Sequence, residues 1–417
     1  MKNKKYEELE TNMIHDTIDC FEKFIEFINL EKPILSVKKA MLDKNDCFKL
    51  NSMLKKRRDV TAPNYNQFQY PIIDLMFNIA LDGKLFVKSD NEKGKLALIK
   101  TPNLEQYQSL NEYEKYVYLL QTYWTKYDFE HNIESDYKLT KFIVFLGKMA
   151  NAKNEKEVSK NISYNICPCY YHLEFFGFGS LILNEKKINN YDNIAIFYPN
   201  EFGIKMSSFL IKETSQYIND DNFRFLINIS DLTEEIITLK KENPFDVFKN
   251  IFPSKDVNKT VNASEVLIDK SGAYLFKVSL KHNKGIWRTI SLSHKHTLED
   301  LHLAIQKAFD FDNDHLHAFY INGNSRTGKE IKGYPYGYGM DEDFYDDDEL
   351  TSDRVTIEDL KLYKGAKIAY VFDFGDNWQF DIALKEINKD APIPIKPVIV
   401  ESKGESPDQY AYDGDEW

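Results

Sequence analysis

Residues 368–384 leave this chain the fewest choices. Ile368, Tyr370, Phe372 and Phe374 occupy alternate positions, Gly375-Asp376-Asn377 follows, and Trp378, Phe380, Ile382 and Leu384 alternate again. Apolar side chains at every second position give a strand one face that must be covered. Two such runs around Gly-Asp-Asn predict an antiparallel hairpin. Gly375 is expected to hold a positive φ in the turn, and Trp378 to open the buried face of the return strand. An earlier stretch repeats the pattern: Tyr274, Phe276, Val278 and Leu280, a turn at His282–Gly285, then Ile286, Ile290 and Leu292, with Trp287 on the opposite face. Between the two pairs, Thr297 and Asp300 have capping-box spacing. Leu298, Leu301, Ile305, Ala308 and Phe309 form a helical stripe, and Leu316 and Phe319 mark a further strand. Helix and strands each need one covering partner. The economical layout is an α+β unit in which a mixed sheet packs on one helix, a β-grasp-like arrangement.

That unit is only the last third of 417 residues, so further domains are expected. Ile14, Ile18, Phe21, Phe24, Ile25 and Ile28 recur at helical spacing. Tyr70–Leu81 reads as a helix, and Lys84–Lys88 and Lys95–Lys100 as two strands about a turn at Ser89–Gly94. A helix followed by a two-stranded wing is winged-helix-like. The pattern returns with a helix at Asn165–Gly177 and strands at Ser180–Leu183 and Asn193–Phe197. Tyr198-Pro199-Asn200 matches Thr101-Pro102-Asn103 at an offset of 97 residues. Glu112–Tyr127 and Leu139–Ala150 are helical between the two units. Short helices are predicted at Asp231–Glu242 and Pro244–Phe252, and a polar linker after them. The expected organisation is α+β and multidomain: a mainly helical, winged-helix-like domain at 1–150, a second winged-helix-like domain at 151–252, a linker at 253–270, and the α+β domain at 271–417.

Composition narrows the function classes. The start, Met1-Lys-Asn-Lys-Lys-Tyr, has no apolar segment behind it, and no apolar run approaches the roughly 20 residues of a membrane span. Four cysteines do not make a disulfide framework. A cytoplasmic protein is expected, with no membrane partner and no cofactor. The net charge of −12 is uneven. From Ser271 onward there are 17 basic and 27 acidic residues, a net of −10, which repels phosphate backbones. Any nucleic-acid contact is therefore expected in the N-terminal region. There the basic run Lys55-Lys56-Arg57-Arg58 is read first as a solvated helix end and second as a phosphate contact. The first winged-helix-like unit offers a nearly all-apolar helix, which fits packing or protein contact better than base reading.

In the C-terminal part, Gly285-Ile-Trp-Arg288, Thr297-Leu-Glu-Asp-Leu-His302, Ile305-Gln-Lys-Ala-Phe309, His315-Leu-His-Ala-Phe319 and Tyr370-Val-Phe-Asp-Phe-Gly-Asp-Asn-Trp378 stand in order. Over about 145 residues this set resembles the plasmid pRiA4b ORF-3-like family. The resemblance implies no assigned reaction, and it implies a link to mobile genetic elements, whose passenger proteins members are often labelled. The tail departs from the family: Lys403-Gly-Glu-Ser-Pro-Asp-Gln-Tyr410 and Asp413-Gly414 replace its usual proline- and glycine-rich ending.

His302, His315, His317, Asp373 and Asp376 are the candidate functional cluster, because polar groups embedded in aromatic strands need partners. His315 and His317, two apart on a strand, are expected on one face. Such a set can bind a divalent cation or move protons, or simply serve as a hydrogen-bonded structural cluster. Trp287, Arg288 and Trp378 are candidate partner-binding residues. Cys167-Pro-Cys169 with His172 lacks the paired knuckles of structural zinc, so buried thiols are expected and no metal site is assigned. Asp310–Asp314 begins like a calcium loop, but His315 stands where Gly is required and Ile321 where Glu is required. Residues 341–349 hold seven carboxylates in nine positions and read as a solvated loop. Asn322–Gly328 lacks the strand–loop–helix setting of a nucleotide site. The preferred reading is a non-enzymatic binding or regulatory protein with an acidic C-terminal recognition module and a protein partner. The alternative is a metal-dependent hydrolase or nuclease using His315, His317, Asp373 and Asp376.

Overall fold

The computed structural model describes residues 2–36, 39–133, 135–155, 158, 160–161, 167–183, 194–230, 232, 236–262, 271–321, 328–334, 350–360 and 362–410. The chain divides into two compact units, Met1–Val266 and Leu267–Trp417.

The first unit is mainly helical. Its elements are α1 (Lys2–Glu31), α2 (Lys44–Met53), α3 (Pro71–Asp82), β1 (Phe86–Asp90), β2 (Leu96–Lys100), α4 (Pro102–Gln108), α5 (Glu112–Lys126), α6 (Phe129–Asn132), α7 (Asp136–Ala150), β3 (Lys160–Asn161), α8 (Cys169–Phe175), β4 (Gly179–Leu183), β5 (Ile194–Pro199), α9 (Glu201–Glu213), α10 (Asp221–Ile229) and α11 (Phe245–Phe248). The expected helix–hairpin pattern occurs twice, and the two copies share their bonding. Lys84 and Gly177 leave α3 and α8 with positive φ, 56° and 77°. Thr101 and Asn200, the N-caps of α4 and α9, each give a side-chain hydrogen bond to that residue's carbonyl, at 2.6 and 2.9 Å. Their backbone amides reach Leu85 and Phe178. The true register therefore pairs Asn200 with Thr101, two residues away from the Tyr198–Thr101 match that the prolines advertise. Between the copies, buried α5 serves both: the Tyr118 hydroxyl donates to Gly83 O at 2.6 Å and the Tyr116 hydroxyl to Phe176 O at 2.8 Å. Residue 150 is not a packing boundary, since Tyr123 of α5 stacks edge-on with His172 of α8 and Trp124 with Phe223 of α10.

Two expectations change in this unit. The described part of the 231–242 helix, residues 232 and 236–242, is not helical. The run Ile236-Ile237-Thr238 is β-branched, and Asn228 instead pairs its amide with both backbone groups of Ile237. The first ten residues of the expected linker are docked. The carboxylate of Glu114 accepts the α5 cap amide of Asn111, at 3.0 Å, and also the amides of Asn258 and Lys259, at 3.1 and 2.8 Å. Val257 and Val261 are buried. Residues 263–270 lie outside the described residues.

Among its described residues the second unit is a seven-stranded sheet with one helix. Its elements are β6 (Ala273–Leu280), β7 (Trp287–Ser293), α12 (Leu298–Phe309), β8 (His317–Ile321), β9 (Lys329–Gly333), β10 (Lys367–Phe372), β11 (Trp378–Asn388) and β12 (Val398–Lys403), in sheet order β12-β7-β6-β11-β10-β8-β9. Every pairing between these strands is antiparallel, which corrects the expected mixed sheet. Each strand runs opposite to its neighbours; β11, for example, lies between β10 and β6 and opposes both. Thr297 and Asp300 form the expected capping box of α12. Tyr274, Phe276, Ile290, Leu298, Leu301, Ile305, Phe319, Tyr370 and Phe380 fill the layer between helix and sheet.

The β10–β11 turn also differs in detail. Strand β10 stops at Phe372, and the Asp373 carboxylate takes the amides of Gly375 and Asp376, at 2.9 and 3.3 Å. The positive φ angles fall on Asp373 and Asn377, 50° and 56°, and not on Gly375. Phe374 is left exposed.

Candidate functional site

Helix α12 points Glu299, His302 and Gln306 at the sheet, because positions three and four apart share one helix face. Beneath them lie His317 of β8 and Tyr370 of β10. The rings of His302 and His317 stack 3.6 Å apart and nearly parallel, at 4°. Both side chains are buried. The Tyr370 hydroxyl lies 2.6 Å from His302 Nδ1 and 2.8 Å from Gln306 Nε2, and the Asn313 side-chain oxygen lies 2.6 Å from His302 Nε2. One assignment satisfies all three contacts: Gln306 donates to the tyrosine oxygen, Tyr370 donates to Nδ1, and His302 Nε2–H donates to Asn313. His302 is then neutral, and burial pushes its pKa down to about 3.

His317 completes the cluster. Its Nε2 sits 3.3 Å from Glu299 Oε2 and 3.2 Å from Ser352 Oγ, while Ser352 donates to Glu299 at 2.7 Å. Burial disfavours the Glu299 charge, but the hydrogen bonds from His317 and Ser352 outweigh it and hold the carboxyl below its ordinary range. His317 Nδ1 is buried and has no partner. Gly333 closes the other side, where a Cβ would stand 1.9 Å from Nε2 and 2.1 Å from Cε1.

Glu299, His302 and His317 can bring one ligand atom each within 4.8 Å of one another. The ring geometry opposes a shared ion. An imidazole binds metal along its in-plane lone pair at about 2.0–2.1 Å. An ion midway between parallel planes 3.6 Å apart would sit roughly 60° out of both planes at that bond length. Metal binding would require unstacking the rings and releasing the Tyr370 or Asn313 bond. As it stands, the cluster is a hydrogen-bonded tie between α12, the sheet and the segment carrying Ser352.

The expected five-residue cluster divides. His302 and His317 come together inside the fold. His315 lies before β8, half exposed, with Nε2 3.4 Å from Asp373 and 3.8 Å from Asp314. The single-face expectation fails because β8 begins only at His317. Asp373 heads the hairpin turn, and Asp376 is exposed within it. Glu299 and Ser352 were not singled out from the sequence. Glu299-x-x-His302 on a capped helix was a readable one-face pair, whereas Ser352 arrives from a distant loop with no local signal.

The partner-binding candidates are placed differently. Arg288 is buried and spent inside the fold. Its guanidinium donates to the carbonyls of Ala308, at 2.7 Å, and Lys403, at 3.0 Å, and to Ser406 Oγ, at 2.7 Å, while lying over Phe309. It ties the α12 end to the stretch after β12. Trp287 is half-buried under Lys277 Nζ, 4.0 Å from the ring centre. Trp378 is half-buried against Phe311 at 4.9 Å, on the margin of the core and not within it. Cys167, Cys169 and His172 are buried, as expected of a packed cluster. Residues 322–327 and 335–349, which include the acidic run, lie outside the described residues.

The two edges of the sheet contrast. Strand β9 exposes Lys329, Glu330 and Lys332, and Lys332 also bridges to Thr351. Strand β12 is exposed at every residue and begins Val398-Ile399-Val400, 50%, 37% and 58% exposed, with Ile395 just before it at 93%.

No helix among the described residues is long and apolar enough to cross a membrane. No curated protein matches this chain. Among solved structures, a protein of unknown function from Methanosarcina mazei Go1 is similar: it is 27% identical over 33% of this chain and 71% of its own, with a TM-score of 0.27. Residues 272–410, the C-terminal third of the chain, match the family model described as plasmid pRiA4b ORF-3-like protein.

Proposed function

We propose that this chain is a non-enzymatic binding protein whose acidic C-terminal unit takes up an extended, basic segment of a partner protein along β12. The observation that carries the reading is the contrast between sheet edges. An exposed edge invites strand addition, and folds usually blunt it with charge or cover. Edge β9 has both, whereas β12 offers Val398, Ile399 and Val400 to solvent. Strand addition supplies affinity through main-chain bonds and specificity through alternate side chains. The surplus of acidic residues after Ser271 favours a basic strand.

The test is selection of short peptides from a random library on the immobilised full-length protein, followed by fluorescence anisotropy. Selected peptides should alternate apolar residues with Lys or Arg and weaken with added salt. A Val398→Lys/Val400→Lys variant, changed only at exposed positions, should bind about tenfold or more weakly. Equal binding by that variant would refute the reading.

In the first unit we read the helix–hairpin pairs as winged-helix-like but structural. Helix α3 buries Ile72, Ile73, Leu75, Met76, Phe77, Ile79 and Ala80. A helix covered on nearly all sides has no face left to enter a groove.

A metal-dependent hydrolase is the second reading, favoured by the three-donor set of Glu299, His302 and His317 and opposed by the ring stack. Thermal melts with Zn²⁺ or Mn²⁺ and with chelator separate the two. A metal-dependent rise in wild type that disappears in Glu299→Gln would move the hydrolase reading ahead.

A further inference from the structure

The first unit contains a cavity of about 250 Å³ between the end of α2, the start of α3, α8 and β4. Lys55, Lys56, Arg57 and Arg58 line it, with Glu174 as the one acid of the lining. Lys55 is held by Asp16 at 2.7 Å, and Arg58 donates to Gln69 O and lies 4.0 Å over the Tyr65 ring. Lys56 Nζ donates to the backbone carbonyl of Glu174, at 3.1 Å. Arg57 is exposed and forms no ion pair among the described residues. Burial disfavours the charge of the Glu174 carboxylate, while Lys56 and the Leu181 amide favour it.

Helix α3, twelve residues long, starts at this wall. Pro71 is its first residue, and Tyr70 gives it no side-chain cap. The amides of Ile72 and Ile73 therefore sit at the positive end of the helix without a side-chain acceptor, beside four cations. Tyr70 lines the same cavity at 2% exposure, and its hydroxyl has no hydrogen-bond partner. Lys56 and Arg57 beside a helix start with no side-chain cap make this wall favourable for an anion. The rest of the lining is apolar or aromatic: Leu54, Ile72, Ile73, Leu181 and Tyr171.

We propose that this cavity binds a small phosphate ester, with the phosphate against Lys56, Arg57 and the first amides of α3 and an apolar or aromatic body on the Leu54–Leu181 floor. A nucleoside monophosphate has both parts. The site is separate from β12 and stands whether or not a peptide binds there.

The test is calorimetric titration of the full chain with AMP, with adenosine and with inorganic phosphate, and with a single-stranded oligonucleotide as a further arm. AMP should bind more tightly than phosphate, and adenosine should bind at least tenfold more weakly than AMP. Arg57→Ala and Lys56→Ala should each weaken AMP about tenfold, the loss of one charge-assisted contact. Arg57→Lys should recover part of the loss. Arg57 is exposed, so its variants keep the fold, and circular dichroism checks this. Equal affinity for adenosine and AMP, or unchanged AMP affinity in the Lys56→Ala/Arg57→Ala double variant, overturns the site. Absence of AMP binding at millimolar concentration also overturns it. Binding of the oligonucleotide through Lys56 and Arg57 without AMP binding replaces the small ligand by a nucleic-acid backbone.

Discussion

The neutral state of His302 makes the second unit sensitive to mild acid. The unfolded chain protonates this imidazole near 6.5, while the folded protein, where burial dominates, delays protonation to about 3. At pH 5 the unfolded state therefore binds the extra proton and the folded state does not, so stability falls as pH falls below 6.5. At 1.36 kcal/mol per unit, the interval from 6.5 to 5 costs about 2 kcal/mol. The other shifted acid of this cluster, Glu299, has its folded value lowered. Its contribution is lost only below the ordinary carboxylate range, so a comparison of pH 7.5 with pH 5 isolates the histidine. His302→Gln keeps one acceptor for Tyr370 and one donor for Asn313 but cannot titrate. Hydrogen exchange of α12 amides, corrected for intrinsic rates, should report a loss of about 2 kcal/mol in wild type between those pH values and less than about 0.5 kcal/mol in the variant. Equal slopes in the two proteins would refute the neutral, buried assignment.

Three further outcomes are expected. Gly333→Ala drives a Cβ to 1.9 Å from His317 Nε2 and 2.5 Å from Ser352 Oγ and should cost about 2–3 kcal/mol in thermal melts; a cost under about 1 kcal/mol would show that the cluster yields. Glu114→Gln removes one of the oxygens that hold Asn111, Asn258 and Lys259, so it should cost about 1–3 kcal/mol and speed tryptic cleavage at Lys255 and Lys259. Gly375→Ala, whose Cβ meets only Asp373 Oδ1 at 3.1 Å, should cost less than about 1 kcal/mol, whereas Asn377→Val, placing a β-branched residue at φ 56°, should cost more. The reverse order in chemical denaturation would restore Gly375 as the special position of the turn.

Local signals carried much of the C-terminal unit. Alternation predicted β10 and β11, and Thr297 with Asp300 fixed the start of α12, because both depend on residues a few positions apart. What could not be read depends on pairings across long separations. Strand β12 takes its place against β7, more than a hundred residues earlier, and this creates the exposed apolar edge. Arg288 looked available until Ala308, Lys403 and Ser406 gathered around it. The cluster shows the same division. His302 and His317 stood out as polar residues in apolar runs, but their stacking is set by how α12 lies on the sheet. Ser352 is brought in by a segment that pairs with the start of α12, where its backbone carbonyl accepts the Glu299 amide at 2.9 Å.

The first unit shows a subtler limit. The two prolines, Pro102 and Pro199, align the repeated segments by identity, yet they do different jobs: Pro102 is the first residue of α4, and Pro199 ends β5. Physical equivalence belongs to the residue that caps the next helix and also satisfies the carbonyl freed by the left-handed turn. Thr101 does this with a hydroxyl and Asn200 with an amide. Each of these residues donates to the carbonyl at the left-handed turn, a part-buried group that is costly when left alone, and at Lys84 the Asn103 side-chain amide joins at 3.2 Å. The same demand explains why α5 carries Tyr116 and Tyr118 on its buried surface. Each helix end, at Gly83 and at Phe176, leaves one more carbonyl to satisfy, and a tyrosine reaches it while filling the aromatic core around it. Hydrogen-bond satisfaction at the helix ends, more than residue identity, is what the two copies have kept in common.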